Sequence, residues 1–260
     1  MTERRYGTLP AIDKHQAWSN TLTGDPTATV TMREADLNLV RRLPLFADIE
    51  SVHFEQLVNG AFLQSFPRRL VLIREGNLPD FLHIVVEGSV ELYGMLGDHE
   101  TALAVLQPHR TFVLAAVVRD EVYLTSARTL AATRILMIPA DAVRSVFDKD
   151  AAFARAVVSE LASRYRDLVR GLKSNKLRTS LERLANYVLV QAPKRGKAAF
   201  ELPLEKRTLA SLLGMTPEHL SRALAQLALH GVAVSGQTVT ITDRARLQRL
   251  AAPHPLIDEA

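Results

Sequence analysis

The chain contains no cysteine. That excludes disulfides, thiol redox chemistry, Cys-ligated zinc and ordinary Cys-ligated iron–sulfur clusters. No apolar run approaches the roughly 20 residues that a membrane span needs. The first residues carry Glu3, Arg4 and Arg5 with no apolar segment behind them, so neither a membrane span nor a secretory signal is expected and the expected location is the cytoplasm. Also missing are a nucleophile elbow, a phosphate-binding P-loop, a dinucleotide-binding glycine motif and a pair of His at metal-ligating helical spacing, so the expectation is a binder and not an enzyme. What remains is ordinary for a globular protein: 260 residues, 47% hydrophobic and 23% charged, with a net charge of +4. That length allows two modest domains, and the mild positive charge is compatible with nucleic acid without proving it.

The most informative stretch runs from Arg207 to His230. Leu209, Leu212 and Leu213 recur at three- and four-residue spacing and predict one helix, with Thr208 as its cap. Gly214 ends it, because Gly takes the left-handed conformation past a helix end. Thr216 caps a second helix, and Pro217 fits its first position, where no backbone donor is needed. Leu220, Ala223, Leu224 and Leu227 form an inner face, leaving Glu218, His219, Ser221 and Arg222 outside. Arg is a two-pronged donor to guanine and Glu an acceptor from cytosine, so this is the pattern by which a helix-turn-helix offers its second helix to a major groove. The plain alternative is a packed helix pair with a polar surface. The run Val232–Ile241, broken at Ser235-Gly236-Gln237, predicts a hairpin, which in this position is a wing of the kind that touches phosphates. Between Arg170 and Arg207 stand ten basic residues and three acidic ones. The excess fits phosphate contact and counterion release, or an ordinary solvated face.

Residues 1–31 lack periodicity and predict a flexible extension, in which His15 and Trp18 are candidate anchors. Thr31-Met32-Arg33-Glu34 matches a capping box for a helix that buries Leu37, Val40 and Leu43 and ends at Pro44; a further helical region takes Leu45 to Phe62. From Phe66 to Pro139 short apolar runs alternate with turns (Leu70–Ile73, Phe81–Val86, Ser89–Tyr93, Thr101–Leu106, Arg134–Ile138), predicting an antiparallel barrel or sandwich with positive φ at Gly76 and Gly88. From Asp141 the pattern is helical. Val158, Leu161, Tyr165, Leu168 and Leu172 continue a heptad seam begun by Ala151 and Ala154. So regular and narrow a seam favours a coiled-coil dimer over packing on the chain's own β domain. A hinge is expected at Gly171–Asn175, then a helix from Leu177 to Leu189, a basic loop at residues 193–198, a strand at Phe200–Leu204, the helix-turn-helix, a helix from Asp243, and an irregular tail with Pro253 and Pro255.

A small β barrel, a long helix and a winged helix, in that order, resemble the CRP/FNR family of bacterial transcription regulators over about Leu43 to Ala251. The carrying motifs are Glu75-Gly76, Glu87-Gly88-Ser89-Val90-Glu91-Leu92 and Leu209 to Arg222. The resemblance implies an α+β fold with a cyclic-nucleotide-binding-like β-roll as sensor at residues 32–140, a dimerisation helix at 141–173 and a winged helix-turn-helix at 174–260. It implies a homodimer on double-stranded palindromic DNA, with RNA polymerase as a further partner. The family's Glu-x-x-Ser-Arg pattern falls on Glu218, Ser221 and Arg222, which in FNR-like members read a TTGAT/ATCAA half-site; His219, Thr216 and Arg207 are flanking candidates. Within the family the resemblance leans to FtrB-like regulators of iron-transport genes.

The sensor half departs from the cyclic-AMP pattern. Family members that bind cyclic nucleotides carry Gly-Glu and later Arg-Ser-Ala or Arg-Thr-Ala, because a buried cyclic phosphate needs an Arg and backbone donors. Here the matching stretches are Phe112–Val118 and Thr125-Ser126-Ala127, so cyclic AMP is not expected, and an iron–sulfur cluster is excluded by the missing Cys. An apolar effector pocket would use Phe112, Leu114 and Val117 with Thr125 and Ser126. The effector itself is unknown. Haem remains open, with His83 and His109 as candidate ligands, although a core His and a loop His are the plainer readings. The alternatives to an effector-controlled regulator are therefore a haem-dependent gas or redox sensor and a non-specific architectural DNA binder.

Overall fold

The structure, a computed structural model, describes residues 32–194 and 199–258. The expected extension at residues 1–31, Thr31 of the capping box, and Arg195 and Lys197 of the basic loop lie outside the described residues. Helix α1 (Glu34–Arg41) starts from Arg33 in extended conformation with no side-chain cap. It buries Val40, and after a 3-10 turn at Pro44–Phe46 the chain enters α2 (Ser51–Val58).

Eight strands follow: β1 (Phe62–Phe66), β2 (Val71–Ile73), β3 (Phe81–Glu87), β4 (Val90–Leu96), β5 (His99–Leu106), β6 (Thr111–Phe112), then helix α3 (Leu114–Arg119), β7 (Ser126–Thr129) and β8 (Thr133–Pro139). They form two antiparallel sheets, ordered β1-β8-β3-β6 and β2-β7-β4-β5. The apolar runs read continuously because the first sheet is covered on both faces. In β3, Leu82, Ile84 and Val86 face the helices while Val85 faces the roll interior; in β8, Leu136 and Ile138 face the helices while Ile135 and Met137 face inward. Gly76 and Gly88 have φ of +85° and +83°, as the turn chemistry required. At Gly88 the need is also steric, since a Cβ there would sit 2.5 Å from the Ala132 carbonyl oxygen.

Where the pattern was one long helix, the chain makes two: α4 (Ala140–Lys149) and α5 (Ala151–Leu177). Asp150 separates them in extended conformation and caps α5 by accepting from the Phe153 amide at 2.8 Å. The hinge expected at Gly171–Asn175 is helical. One interior glycine costs a helix only about 1 kcal/mol relative to Ala, which the flanking turns of so long a helix absorb. The chain bends instead at Arg178, and Leu177 belongs to α5 rather than to the next helix.

The remaining elements are α6 (Ser180–Lys194), β9 (Ala199–Glu201), α7 (Lys206–Leu212), α8 (Pro217–Leu227), β10 (Val232–Ser235), β11 (Thr238–Ile241), α9 (Arg244–Ala251) and α10 (Pro255–Asp258). The expected hairpin is present and gains β9 as a third strand, Phe200 opposite Val239. The tail expected to be irregular forms α10, helped by Pro255 at its first position. Thr208 is not a cap: Glu205 holds that place, and Thr208 lies buried inside α7. Leu184, Val188, Leu209, Leu220, Leu224, Leu227, Val239 and Leu247 make a separate core for this half. Each such Leu contributes about 1.5–3 kcal/mol through burial.

Candidate nucleic-acid interface

Helix α8 is built as its sequence demanded. Thr216 Oγ1 accepts from the His219 amide at 3.2 Å, and Pro217 takes the first position. Leu220, Ala223, Leu224 and Leu227 are buried, which turns Glu218, His219, Ser221 and Arg222 outward, all exposed. Glu218 and Arg222 are four residues apart and so share one stripe one turn apart. A hydrogen bond from its own backbone amide, then one from Thr216, then the charge of Arg222 hold the Glu218 carboxyl below the usual carboxylate range. It stays an acceptor, as a contact with a cytosine amino group requires. The Ser221 hydroxyl donates to the Pro217 carbonyl at 3.0 Å, so a base or phosphate contact must share or replace that bond.

The turn between α7 and α8 is held by a residue that the sequence reading left among the basic stretch. Gly214 has φ +62°, and around it Arg183 donates from Nε to Leu213 O (2.8 Å), from Nη2 to Gly214 O (3.4 Å) and from Nη1 to Arg178 O (2.7 Å). Burial lowers the pKa of this guanidinium, which satisfies carbonyls at a helix end instead of reaching for phosphate. Charge alone could not have separated it from solvated neighbours; its i+4 relation to the inward Tyr187 is the one available hint.

Arg207 and Thr216 line a cleft of about 400 Å3 with Glu91, Glu100 and Arg128 of the β-roll. Across it the Ala102 amide donates to Ser211 Oγ at 2.6 Å, and Glu205 accepts from Arg68 and Arg69 at 2.5 and 2.8 Å. Helix α7 is thus docked on β5.

The expected seam of α5 stands out from the β-roll. Phe153 and Val157 pack inward, whereas Val158, Tyr165, Leu168 and Leu172 are 58, 67, 72 and 59% exposed; Leu161, between the two faces, is half-buried.

The expected effector residues do not come together. Phe112 belongs to the roll interior, where its ring stacks on His83 with centroids 4.9 Å apart. Leu114 and Val117 pack instead with the helices outside the first sheet, because Val113, in left-handed conformation, turns the chain out of β6 into α3. Thr125 is half-buried, and Ser126 Oγ accepts from the Glu75 amide at 3.0 Å. His83 is buried, and its Nδ1 has no hydrogen-bond partner; burial first, against a backbone hydrogen bond at Phe81, lowers its pKa to about 4. His109 is an exposed turn residue with φ +70°, bordering a groove of about 490 Å3 beside α5 that none of the expected effector residues line. The two His are not a pair. Among the described residues no cluster of three or more His, Asp or Glu is arranged to hold a metal, and no helix is long and apolar enough to cross a membrane.

Residues 63–150 match the family model of the cyclic nucleotide-binding domain, and residues 182–250 that of the Crp-like helix-turn-helix domain. A CRP-like cAMP-activated global transcriptional regulator of Mycobacterium tuberculosis is 25% identical over 222 residues, 82% of this chain and 98% of that protein. A solved structure from Silicibacter pomeroyi DSS-3, assigned as a cAMP-binding regulatory protein, is 26% identical, covers 85% of this chain and all of its own, with a TM-score of 0.56. For the fold alone, FixK2 from Bradyrhizobium japonicum superposes with a TM-score of 0.64 at 24% identity, over 75% of this chain and 98% of its own.

Proposed function

Because the chain belongs to the CRP/FNR family of transcription regulators, we propose that it works as a cytoplasmic homodimer that reads palindromic double-stranded DNA and is controlled through its β-roll by something other than cyclic AMP or an iron–sulfur cluster. The observation that carries this reading is the exposed Glu218–Arg222 stripe at the capped start of α8. Arg222 contacts guanine, Glu218 the opposing cytosine and Ser221 a base or phosphate, with His219, Thr216 and Arg207 flanking, on half-sites of the TTGAT/ATCAA type. Pairing along Val158, Leu161, Tyr165, Leu168 and Leu172 gives the two-fold symmetry that a palindrome needs. RNA polymerase is the expected protein partner once DNA is bound. Against cyclic AMP stands Thr125 in the place of the phosphate-binding Arg, beside a Ser126 hydroxyl already held by the Glu75 amide.

The test is an anisotropy titration of the full chain with a labelled duplex carrying TTGAT and ATCAA about one helical turn apart, against a scrambled duplex at the same salt. A preference of about 10^3 or more supports a specific regulator. Equal binding turns the reading to an architectural DNA binder. A haem-dependent sensor is a second reading, favoured by the unpartnered Nδ1 of the neutral His83 inside the roll. A stoichiometric Soret band on haem addition, lost in His83→Ala, supports it; a spectrum of free haem removes it.

A further inference from the structure

We infer that the C-terminal segment Pro255–Asp258 is a clasp that sets the angle between the long helix α5 and the DNA-reading half, with Asp258 and Arg178 as its positioning residues. The inference rests on the proposed reading of DNA by a dimer.

The bend between α5 and α6 consists of two residues, Arg178 and Thr179. Each supplies only two soft torsions, so whatever holds them sets how the two helices point. Thr179 is held by a local capping box. Glu182 Oε2 accepts from the Thr179 amide at 2.7 Å, and Thr179 Oγ1 accepts from the Glu182 amide at 3.3 Å. Arg178 keeps one local bond, its amide donating to the Ser174 carbonyl at 3.2 Å, while its backbone is extended at φ −120° and ψ 146°. Its side chain is held from far along the chain. Both of its terminal nitrogens donate to Asp258, Nη1 to Oδ1 and Nη2 to Oδ2, each at 2.6 Å, a two-pronged charged pair. The Arg178 side chain is only 8% exposed and that of Asp258 16%, so solvent screens the pair little. The Arg178 carbonyl in turn accepts from Arg183, the same guanidinium that grips Leu213 and Gly214 in the turn before α8.

A continuous line of bonds therefore runs from Asp258 through the bend to the start of the reading helix. The segment is shaped for this task. Ala252 takes a left-handed conformation, φ +42°, that turns the chain back after α9; Asn186 holds the Ala251 carbonyl at 2.6 Å; and α10 packs on the end of α5. Asp258 also accepts from the His254 amide at 2.6 Å, which fixes its carboxylate within α10. The match to the Crp-like helix-turn-helix ends at residue 250, so the clasp lies outside the matched residues. With Arg178 engaged on both prongs, it is withdrawn from phosphate contact and acts through the orientation of α8.

The consequence is specific to a two-site reader. A free bend leaves each reading helix intact and misaligns the pair. The experiment uses the full chain with Asp258→Asn, a truncation after Ala252, and the exchange pair Arg178→Asp with Asp258→Arg. Two probes are titrated, the TTGAT–ATCAA palindrome and a duplex with a single half-site. Expected for the first two variants is about a tenfold weaker palindrome complex with the half-site changed by less than about twofold, and partial recovery in the exchange pair. Wild-type affinity for the palindrome in both variants, or an equal loss on both probes, overturns the clasp. If wild-type protein itself shows no preference for the palindrome, it is the dimeric reading that falls. Amide exchange then decides the clasp alone: faster exchange at residues 177–182 in Asp258→Asn, with Leu184 and Val188 unchanged, supports it, and unaltered exchange at the bend overturns it.

Discussion

His53 Nδ1 lies 2.9 Å from Asp150 Oδ2, joining α2 to the residue that caps the long helix across 97 positions of sequence. The same carboxylate caps α5 through the Phe153 amide and receives the Glu50 amide at 3.1 Å. One side chain thus starts the helix that carries the exposed apolar seam and fastens it to the β-roll half.

Asp150 also makes stability depend on acid. The Phe153 amide foremost, against burial, and then His53 and Glu50 hold its carboxyl at about 2 instead of 3.8. Its folded pKa is depressed, so its contribution is complete above about pH 4 and is lost as pH falls from about 4 to about 2. Asp150→Ala removes a cap and two further bonds and should cost about 2 kcal/mol at neutral pH. Chemical denaturation of both proteins at pH 7 and pH 3 checks this; the gap between them should narrow at the lower pH.

His83 gives a second dependence, at milder pH. Burial holds its pKa at about 4, below the ordinary 6.5, with no partner on Nδ1. The unfolded chain takes up a proton that the folded chain refuses, so stability is unaffected above about pH 6.5 and falls between there and about 4. The gap corresponds to about 3 kcal/mol. His83→Phe should flatten this part of the melting-temperature profile. An unchanged slope between pH 6.5 and 4 would contradict the assignment.

Arg222→Ala should weaken binding to the TTGAT–ATCAA duplex by about 1–3 kcal/mol and relax discrimination at the guanine of the half-site. Arg207→Ala should weaken specific and random duplexes alike and lower the salt slope by about one. Competition titrations against single-base-pair variants separate the two. An equal loss for Arg222→Ala on random DNA would remove its base-reading role.

Leu168→Glu places a charge in the middle of the exposed seam, where two copies would face each other. The side chain has no role in the chain's own core, so the melting temperature of dilute protein should move little. Sedimentation equilibrium should show a dimer for wild type and a monomer for the variant, and the palindrome affinity should fall towards that of a half-site. A variant that remains dimeric would place the interface elsewhere.

The helix-turn-helix was legible in almost every local detail. Gly214, Thr216, Pro217 and the inward leucines act over three or four residues, where backbone sterics and periodicity decide the outcome. The strands β3 and β8 were legible because a strand buried on both faces needs an apolar run, and β2, β4 and β5 because their short apolar or alternating runs lie between turns. Strand β1, whose Phe62 the pattern places in the preceding helical region, was not, nor were the short strands β6 and β7 and helix α3. Two to six residues carry too little pattern, and a left-handed Val113 has no sequence signature.

The amino-acid sequence by itself determined the order of the parts, the identity of the reading helix and which of its side chains face outward. All of these follow from spacing along one element. Only the tertiary structure decided where partners distant in sequence meet. Arg178 and Arg183 stood in a basic stretch that fitted phosphate contact or a solvated face alike. Folding brings Asp258 and the turn carbonyls to them, and a buried guanidinium must satisfy its donors within the protein. The bend moved from Gly171 to Arg178 for the same reason: a glycine permits a hinge, but the hinge forms where long-range bonds hold an extended residue in place.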